Sequence, residues 1–173
     1  RHTVVPIAVE VLGDRETPVS VFEALVADGD GFLLESVEGG ERWARWSFVG
    51  WEPTFTVVAR AGRTEAVGAD IDLPGNDPLS SLSLILEEFT APDAEECGFP
   101  GAVPPLHGGL VGYLSYDSVR YIENLPDAPP DDRNLPEMVW HVGGALAAID
   151  RFRDTILIIR NVFGGEDPAA AYD

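Results

Sequence analysis

The stretch from Gly31 to Gly50, GFLLESVEGGERWARWSFVG, decides the fold of this chain and contains its first candidate site. The apolar run Phe32 to Leu34 is too short for a helix and follows a glycine, so it predicts a buried strand. The segment Val37 to Glu41 holds two glycines, which adopt positive φ at little cost, and it therefore predicts a turn. The run Trp46 to Val49 predicts a second strand that returns beside the first.

The end of this predicted strand pair has the residue types that a small amino-acid site requires. Glu35 would hold an ammonium group through a charge-assisted bond, while Ser36 and Ser47 would bond to either polar end of the ligand. Leu34 and Trp46 would add apolar wall, because small-ligand pockets combine apolar walls with a few polar groups. The alternative is an ordinary hairpin whose Glu35 and Ser36 face water, and the pattern alone favours that alternative.

Composition restricts the class of protein and its partners. A chain of 173 residues with 45% hydrophobic residues and a mean hydropathy of +0.02 is typical of a globular protein. A net charge of −19, from 30 acidic and 11 basic residues, repels phosphate, so neither nucleic acid nor a membrane surface is an expected partner. No secretory signal or bilayer-spanning run is visible, and the single cysteine, Cys97, cannot form an internal disulfide. We therefore expect a cytoplasmic protein.

The remaining patterns predict an α+β fold: largely antiparallel β-sheets packed as two layers, with helices outside. Thr17-Pro18 and Asp77-Pro78 each combine a capping side chain with proline at the first helical position, which predicts two helix starts. The apolar face of the second predicted helix consists of Leu79, Leu82, Ile85, Leu86 and Phe89. The predicted strands are Val4 to Val11, Phe55 to Ala59, Arg63 to Val67, Leu110 to Tyr116, Met138 to Ile149 and Thr155 to Val162.

Two further local patterns make specific structural predictions. Gly108, Gly109 and Gly112 indicate close backbone approach or a bulge at the strand that follows them. Asp167-Pro168 repeats the cap-and-proline pattern before an alanine run, which predicts a helix that has only just begun when the sequence stops. We therefore expect the chain to be part of a longer protein.

Catalytic patterns are missing from the sequence. The three histidines are far apart and follow no metal-ligand spacing. Carboxylates beside Cys97 would raise the pKa of its thiol, which is the wrong direction for a nucleophile. The segment Gly108 to Gly112 lacks the lysine of a phosphate-binding loop and opens a strand instead of a helix. We expect no catalytic activity from the chain alone.

Three ordered stretches carry a resemblance to a known family. They are ETPVSVFEAL at Glu16 to Leu25, FLLESVEGGERWARWSFVG at Phe32 to Gly50, and GGLVGYLSYDSVRYIENLP at Gly108 to Pro126. With these motifs, the chain from about residue 6 to its end resembles the N-terminal region of anthranilate synthase component I, the large subunit of that enzyme. The large subunit of aminodeoxychorismate synthase, which serves folate synthesis, is homologous and shares much of the pattern.

The resemblance implies that residues 1–173 form the N-terminal regulatory domain and that a C-terminal chorismate-binding domain is absent from this chain. It implies a lyase that converts chorismate and glutamine or ammonia to anthranilate and pyruvate in tryptophan synthesis. Mg²⁺ would act in the missing catalytic domain, and a glutaminase subunit, component II, would be the partner. L-tryptophan would be the feedback inhibitor, bound at Leu34, Glu35, Ser36, Trp46 and Ser47. The alternatives are the aminodeoxychorismate synthase subunit and a stand-alone amino-acid-binding module.

Overall fold

A computed structural model describes residues 2–35, 45–75, 77–128, 130–166 and 169. Strands form most of the regular structure in these residues. In chain order the elements are β1 (Val4–Leu12), α1 (Pro18–Val26), β2 (Gly31–Glu35), β3 (Trp46–Trp51), β4 (Phe55–Arg60), β5 (Arg63–Val67), α2 (Pro78–Glu88), β6 (Leu110–Leu114), a 3₁₀ helix (Tyr116–Tyr121), β7 (Met138–Val142), β8 (Ala145–Asp150) and β9 (Thr155–Phe163). The chain divides into two compact units, each built on its own sheet.

The first unit contains residues 1–53, 89–109 and 143–173 and is built on a five-stranded sheet. The strand order is β1-β9-β8-β3-β2, and every neighbouring pair is antiparallel. β9 lies between β1 and β8, and this interior position agrees with its continuous apolar run from Thr155 to Ile159. β2 is an edge strand, so the candidate site lies at a margin of this sheet.

The two faces of this sheet are covered by different elements of the same unit. α1 covers one face with Val21 and Val26, and the buried residues it meets there are Val49, Ala147, Ile149 and Ile156. The other face packs against Phe99 and Leu106, and its buried residues are Phe48, Leu146, Ala148, Leu157 and Ile159. Because side chains alternate along a strand, both faces of β3 and β8 are buried.

The second unit contains residues 54–88 and 110–142 and is built on a four-stranded antiparallel sheet of order β5-β4-β7-β6. The hairpin of β4 and β5 turns at Ala61 and Gly62, whose φ values are 48° and 74°. The prediction that glycine permits close approach is confirmed at Gly112 in β6, where an added Cβ would lie 2.0 Å from Val139 O.

The buried side of α2 differs from the predicted one. The helix buries Pro78, Ser81 and Ile85, whereas Leu86 is 60% exposed. Ser81 is tolerated inside because its hydroxyl donates to the carbonyl oxygens of Pro74 and Asp77, each at 3.0 Å. The prediction therefore placed Leu86 wrongly, since it counted apolar residues and did not allow for a buried polar residue with partners.

The predicted single strand Met138 to Ile149 was also wrong, because two strands occupy this stretch. β7 ends at Val142 and belongs to the four-stranded sheet, while β8 begins at Ala145 and belongs to the five-stranded sheet. Gly143 and Gly144 separate them with φ values of 60° and 84°, which a continuous strand cannot contain. An apolar pattern continues across this break, which is why periodicity alone did not reveal it.

Both described helix starts are capped as predicted. The Thr17 hydroxyl accepts from Ser20 N at 3.0 Å, and the Ser20 hydroxyl accepts from Thr17 N at 2.9 Å, which forms a capping box. Asp77 accepts from the backbone of Leu79 and Ser80. The third predicted start, Asp167-Pro168, lies outside the described residues. The predicted α+β class, with antiparallel sheets and few helices, is confirmed.

Candidate functional site

The pairing of β2 with β3 brings most of the predicted site residues to one end of the five-stranded sheet. Glu35 lies opposite Ser47, and Leu34 lies opposite Phe48. Opposed residues of an antiparallel pair point to the same face, so Glu35 and Ser47 share the face that α1 covers elsewhere. Leu34 and Trp46 lie on the other face. The candidate residues therefore line two sides of one strand end, and Ser36 lies outside the described residues.

Glu35 is bound to an arginine that the sequence analysis did not select. Its Oε1 accepts from Arg151 Nη2 at 2.5 Å, and the side chains are 35% and 45% exposed respectively. Arg151 is the first residue after β8, two strands away from β2 in the sheet order. The Glu35 carboxylate, which the sequence analysis assigns to the ammonium group of a ligand, is thus accessible and already paired with Arg151.

Among the candidate residues that the structure describes, Ser47 is the most deeply buried, with 1% of its surface exposed. Within the described part of the chain its Oγ atom has no hydrogen-bond partner. A buried hydroxyl without a partner costs free energy, so such groups are uncommon and call for an explanation. Ser47 therefore supplies a polar atom without a described partner directly opposite Glu35.

Apolar side chains form the other side of the strand end. The rings of Trp46 and Phe48 stack with centroids 6.3 Å apart and an angle of 15° between their planes. Leu34 remains 42% exposed on the edge strand. The strand end therefore has an aromatic surface on one face and the polar groups of Glu35 and Ser47 on the other.

An ion pair between Arg45 and a buried carboxylate, at the start of β3, was missed by the sequence analysis. Asp150, the last residue of β8, has a side chain that is only 2% exposed. It accepts from Arg45 Nε at 2.9 Å and from Arg45 Nη2 at 2.6 Å, and also from Phe152 N at 3.0 Å. These bonds, led by the one from Arg45, lower the pKa of Asp150, whereas burial acts in the opposite direction.

The Arg45 guanidinium is also held between aromatic rings. It lies 5.0 Å from the centroid of Trp46 and 5.7 Å from that of Phe152. The pKa of Arg45 is raised by its hydrogen bond to Asp150. Asp150 lies opposite Trp46 in the register of β8 and β3, so this cluster holds the start of β3 against the end of β8. The sequence signal for this ion pair was a single acidic residue, Asp150, at the end of an apolar strand.

Other titratable groups form no catalytic arrangement in the described residues. Burial, assisted by the nearby carboxylate of Glu96, raises the pKa of the Cys97 thiol, which confirms the predicted direction. Burial and a hydrogen bond to Glu137 raise the pKa of Tyr121 to about 12. Among the described residues, no group of three or more His, Cys, Asp and Glu side chains is placed to hold a metal ion. None of the helices described is long and apolar enough to cross a bilayer.

Two known proteins with similar sequences have the same name. The chain is 41% identical over 179 residues to anthranilate synthase component 1 of Mycobacterium tuberculosis, and the match covers 99% of this chain and 34% of that protein. It is 34% identical over 174 residues to anthranilate synthase component 1 of Acetivibrio thermocellus, covering 99% of this chain and 34% of that protein. The chain thus spans about one third of the length of these relatives. No protein-family model matches it.

A solved structure shares the fold. Anthranilate synthase component I from Streptococcus pneumoniae matches with a TM-score of 0.59 and 18% sequence identity, covering 94% of this chain and 34% of that one. At that identity the likeness concerns the fold alone. The resemblance inferred from the three sequence motifs is confirmed.

Proposed function

We propose that this chain, which is homologous to the N-terminal third of anthranilate synthase component I, is the effector-binding regulatory portion of such a subunit. Its ligand is L-tryptophan, the end product of the pathway that anthranilate begins. The ammonium group binds Glu35, the remaining polar contacts come from Ser36 and Ser47, and the ring lies against Leu34 and Trp46. Residues 1–173 are the regulatory domain, and chorismate binds to a region outside this chain.

The observation that carries this proposal is the register of β2 and β3. It places an accessible carboxylate opposite a buried hydroxyl without a described partner, at the end of an edge strand. The stacked rings of Trp46 and Phe48 lie on the opposite face of the same strand end. An α-amino acid with an aromatic side chain needs these three elements together.

The catalytic activity in this proposal belongs to the longer subunit. That subunit is a cytoplasmic lyase that converts chorismate and ammonia to anthranilate and pyruvate, and it uses glutamine when a glutaminase subunit, component II, is bound. The described residues do not fit a magnesium site, since no cluster of carboxylates converges on one point. In this proposal the Mg²⁺ of the reaction belongs to the catalytic region outside this chain.

The experiment that tests the assigned reaction is a product assay. The full-length subunit that contains this chain is incubated with chorismate, Mg²⁺ and ammonia, and the products are separated chromatographically. We expect anthranilate and an equal amount of pyruvate. Accumulation of aminodeoxychorismate without pyruvate would contradict the proposal and assign the chain to the homologous folate enzyme.

A further inference from the structure

We propose that Arg151 binds the carboxylate of the amino-acid effector, so that the Glu35–Arg151 ion pair recognises both charges of an α-amino acid. The inference rests on the proposed function, which places the effector at Glu35. An α-amino acid carries its ammonium and carboxylate groups on one carbon atom. A carboxylate and a guanidinium in direct contact therefore present the complementary charges at the required spacing.

Arg151 has donors to spare for a ligand. A guanidinium has five N–H donors, and the described partner of the Arg151 side chain is a single oxygen, Glu35 Oε1 at 2.5 Å. Both side chains are partly exposed, at 45% for Arg151 and 35% for Glu35, so a ligand can reach them. Oε2 of Glu35 has no described partner, which leaves one carboxylate oxygen for an ammonium group.

The backbone at this position is well anchored. Arg151 N donates to Arg45 O at 3.0 Å, and this bond extends the β3–β8 ladder by one residue. Arg45 is itself fixed by its two bonds to the buried carboxylate of Asp150. The Arg151 side chain therefore projects from a fixed point, which limits the conformational entropy lost when a ligand binds.

The two neighbouring arginines are not equivalent to Arg151. Arg45 directs Nε and Nη2 to Asp150 and packs between two rings, so its guanidinium is engaged. Arg153 is directed to Glu10, at 3.7 Å, on the β1 side of the sheet. Of these three arginines, Arg151 is the one whose partner is also the proposed ammonium acceptor.

The negative charge of the whole chain disfavours binding of an anionic ligand group unless a cation lies beside it. With a net charge of −19, the chain repels a free carboxylate, and it has only 11 basic residues. Three of these 11, Arg45, Arg151 and Arg153, lie within the start of β3 and the turn after β8. Because Asp150 engages Arg45 and Arg153 is directed to Glu10, Arg151 is the cation of these three that faces a ligand carboxylate beside Glu35.

The test compares two ligands in matched variants of the full-length subunit. L-tryptophan has both charged groups, whereas tryptamine has the ammonium and lacks the carboxylate. The half-inhibitory concentration of each is measured relative to the uninhibited rate of the same variant. The variants are Arg151→Gln, Arg151→Lys and Arg153→Gln, and the last removes an equally exposed arginine from the same turn. Melting temperatures establish that each variant is folded.

We expect Arg151→Gln to raise the half-inhibitory concentration of tryptophan by at least ~10-fold, because a charge-assisted bond is lost. The value for tryptamine should change by less than ~2-fold. Arg151→Lys should fall between the wild type and Arg151→Gln, since lysine keeps the charge and loses the planar fork. Arg153→Gln should leave both values unchanged.

Two results would overturn the inference while the proposed function stands. One is a wild-type enzyme inhibited by tryptophan together with an Arg151→Gln variant inhibited equally well. The other is an equal loss for tryptophan and tryptamine, which would mean that Arg151 acts only by holding Glu35. A wild-type enzyme that tryptophan does not inhibit would instead remove the proposed function and this inference together.

Discussion

At the scale of single residues, Asp150 shows how hydrogen-bond partners within the protein stabilise a buried charge. Its carboxylate is buried and accepts bonds from Arg45 and from the backbone of Phe152. Asp150→Asn keeps the size of the side chain, but it removes the charge and replaces one acceptor oxygen with a donor. We expect a loss of about 1–3 kcal/mol in the free energy of unfolding at pH 7, measured by urea denaturation.

The matched control is Asp154→Asn in the same turn. Asp154 is exposed and has a φ of 53°, a conformation that asparagine also adopts readily. This variant should lie within about 0.5 kcal/mol of the wild type. An equal loss in both variants would show that the turn, and not the Arg45–Asp150 ion pair, is responsible.

The pH dependence of the Asp150 effect follows from the direction of its pKa shift. Because the folded-state pKa is lowered, the stabilisation is fully present above the ordinary aspartate pKa of about 3.9. It is lost as the pH falls through the lower folded-state value, where the native carboxylate becomes protonated. We expect the difference in melting temperature between wild type and Asp150→Asn to be constant from pH 7 to pH 5 and to shrink below about pH 4. A difference that grows in acid would contradict the assigned direction.

At the scale of elements, the start of α1 depends on one side chain. Thr17→Ala removes the acceptor for Ser20 N, and the helix it caps covers one face of the five-stranded sheet. The expected cost is about 1 kcal/mol in the free energy of unfolding. Thr17→Asn should restore most of it, since asparagine is an equally good cap. If the alanine and asparagine variants unfold at the same urea concentration, the cap is not the cause.

The β6–β7 pair makes a second prediction at this scale. In Gly112→Ala the new methyl group would overlap Val139 O, and that backbone atom cannot move without disturbing the ladder. We expect a loss of at least ~1–3 kcal/mol, the typical cost of overpacking. Gly75→Ala, where nothing lies within 4 Å of an added Cβ, is the control in the same unit. Thermal unfolding of both variants compares them directly.

Much of the element order could be predicted because its signals are local. Cap residues, proline at the first helical position and glycine turns act within a few residues, and the predicted starts of α1 and α2 are confirmed. The ion pair of Arg45 and Asp150 could not be predicted, because 105 residues separate its partners and only the sheet order brings them together. The break between β7 and β8 was missed because the apolar pattern resumes directly after Gly143 and Gly144 and was given more weight than this glycine pair, which is itself a turn signal.

At the scale of the whole molecule, the sequence indicated the strand end that holds the candidate site and missed how its charges are paired. Glu35, Ser47, Leu34 and Trp46 were selected from the motif, and the register places all four at the end of one strand pair. The partner of Glu35 comes from the turn after β8, and no local pattern connects Arg151 to β2. The sequence motif therefore identified this end of the sheet, whereas the ion pair of Glu35 with Arg151 became visible only from the strand order.

The proposed division between a regulatory and a catalytic region predicts that the 173-residue chain is inactive alone. The described residues offer no metal-binding cluster and no nucleophile with a lowered pKa. Purified chain incubated with chorismate, Mg²⁺ and ammonia should form no anthranilate above the blank, as measured by fluorescence. Turnover that increases with the amount of chain would show that the reaction is carried out by residues in this region.

The central claim, that this chain contains the feedback site, is tested most directly by one inhibition measurement. Tryptophan inhibition curves are recorded for the full-length wild type, for Ser36→Arg in the Leu-Leu-Glu-Ser motif, and for Ser83→Arg on the exposed side of α2. Allosteric coupling is typically about 1–3 kcal/mol, so losing the effector site should abolish inhibition in a folded enzyme. We expect Ser36→Arg to lose tryptophan inhibition and Ser83→Arg to retain it, with melting temperatures close to that of the wild type. Unchanged inhibition in a folded Ser36→Arg enzyme would contradict the account and place the feedback site elsewhere.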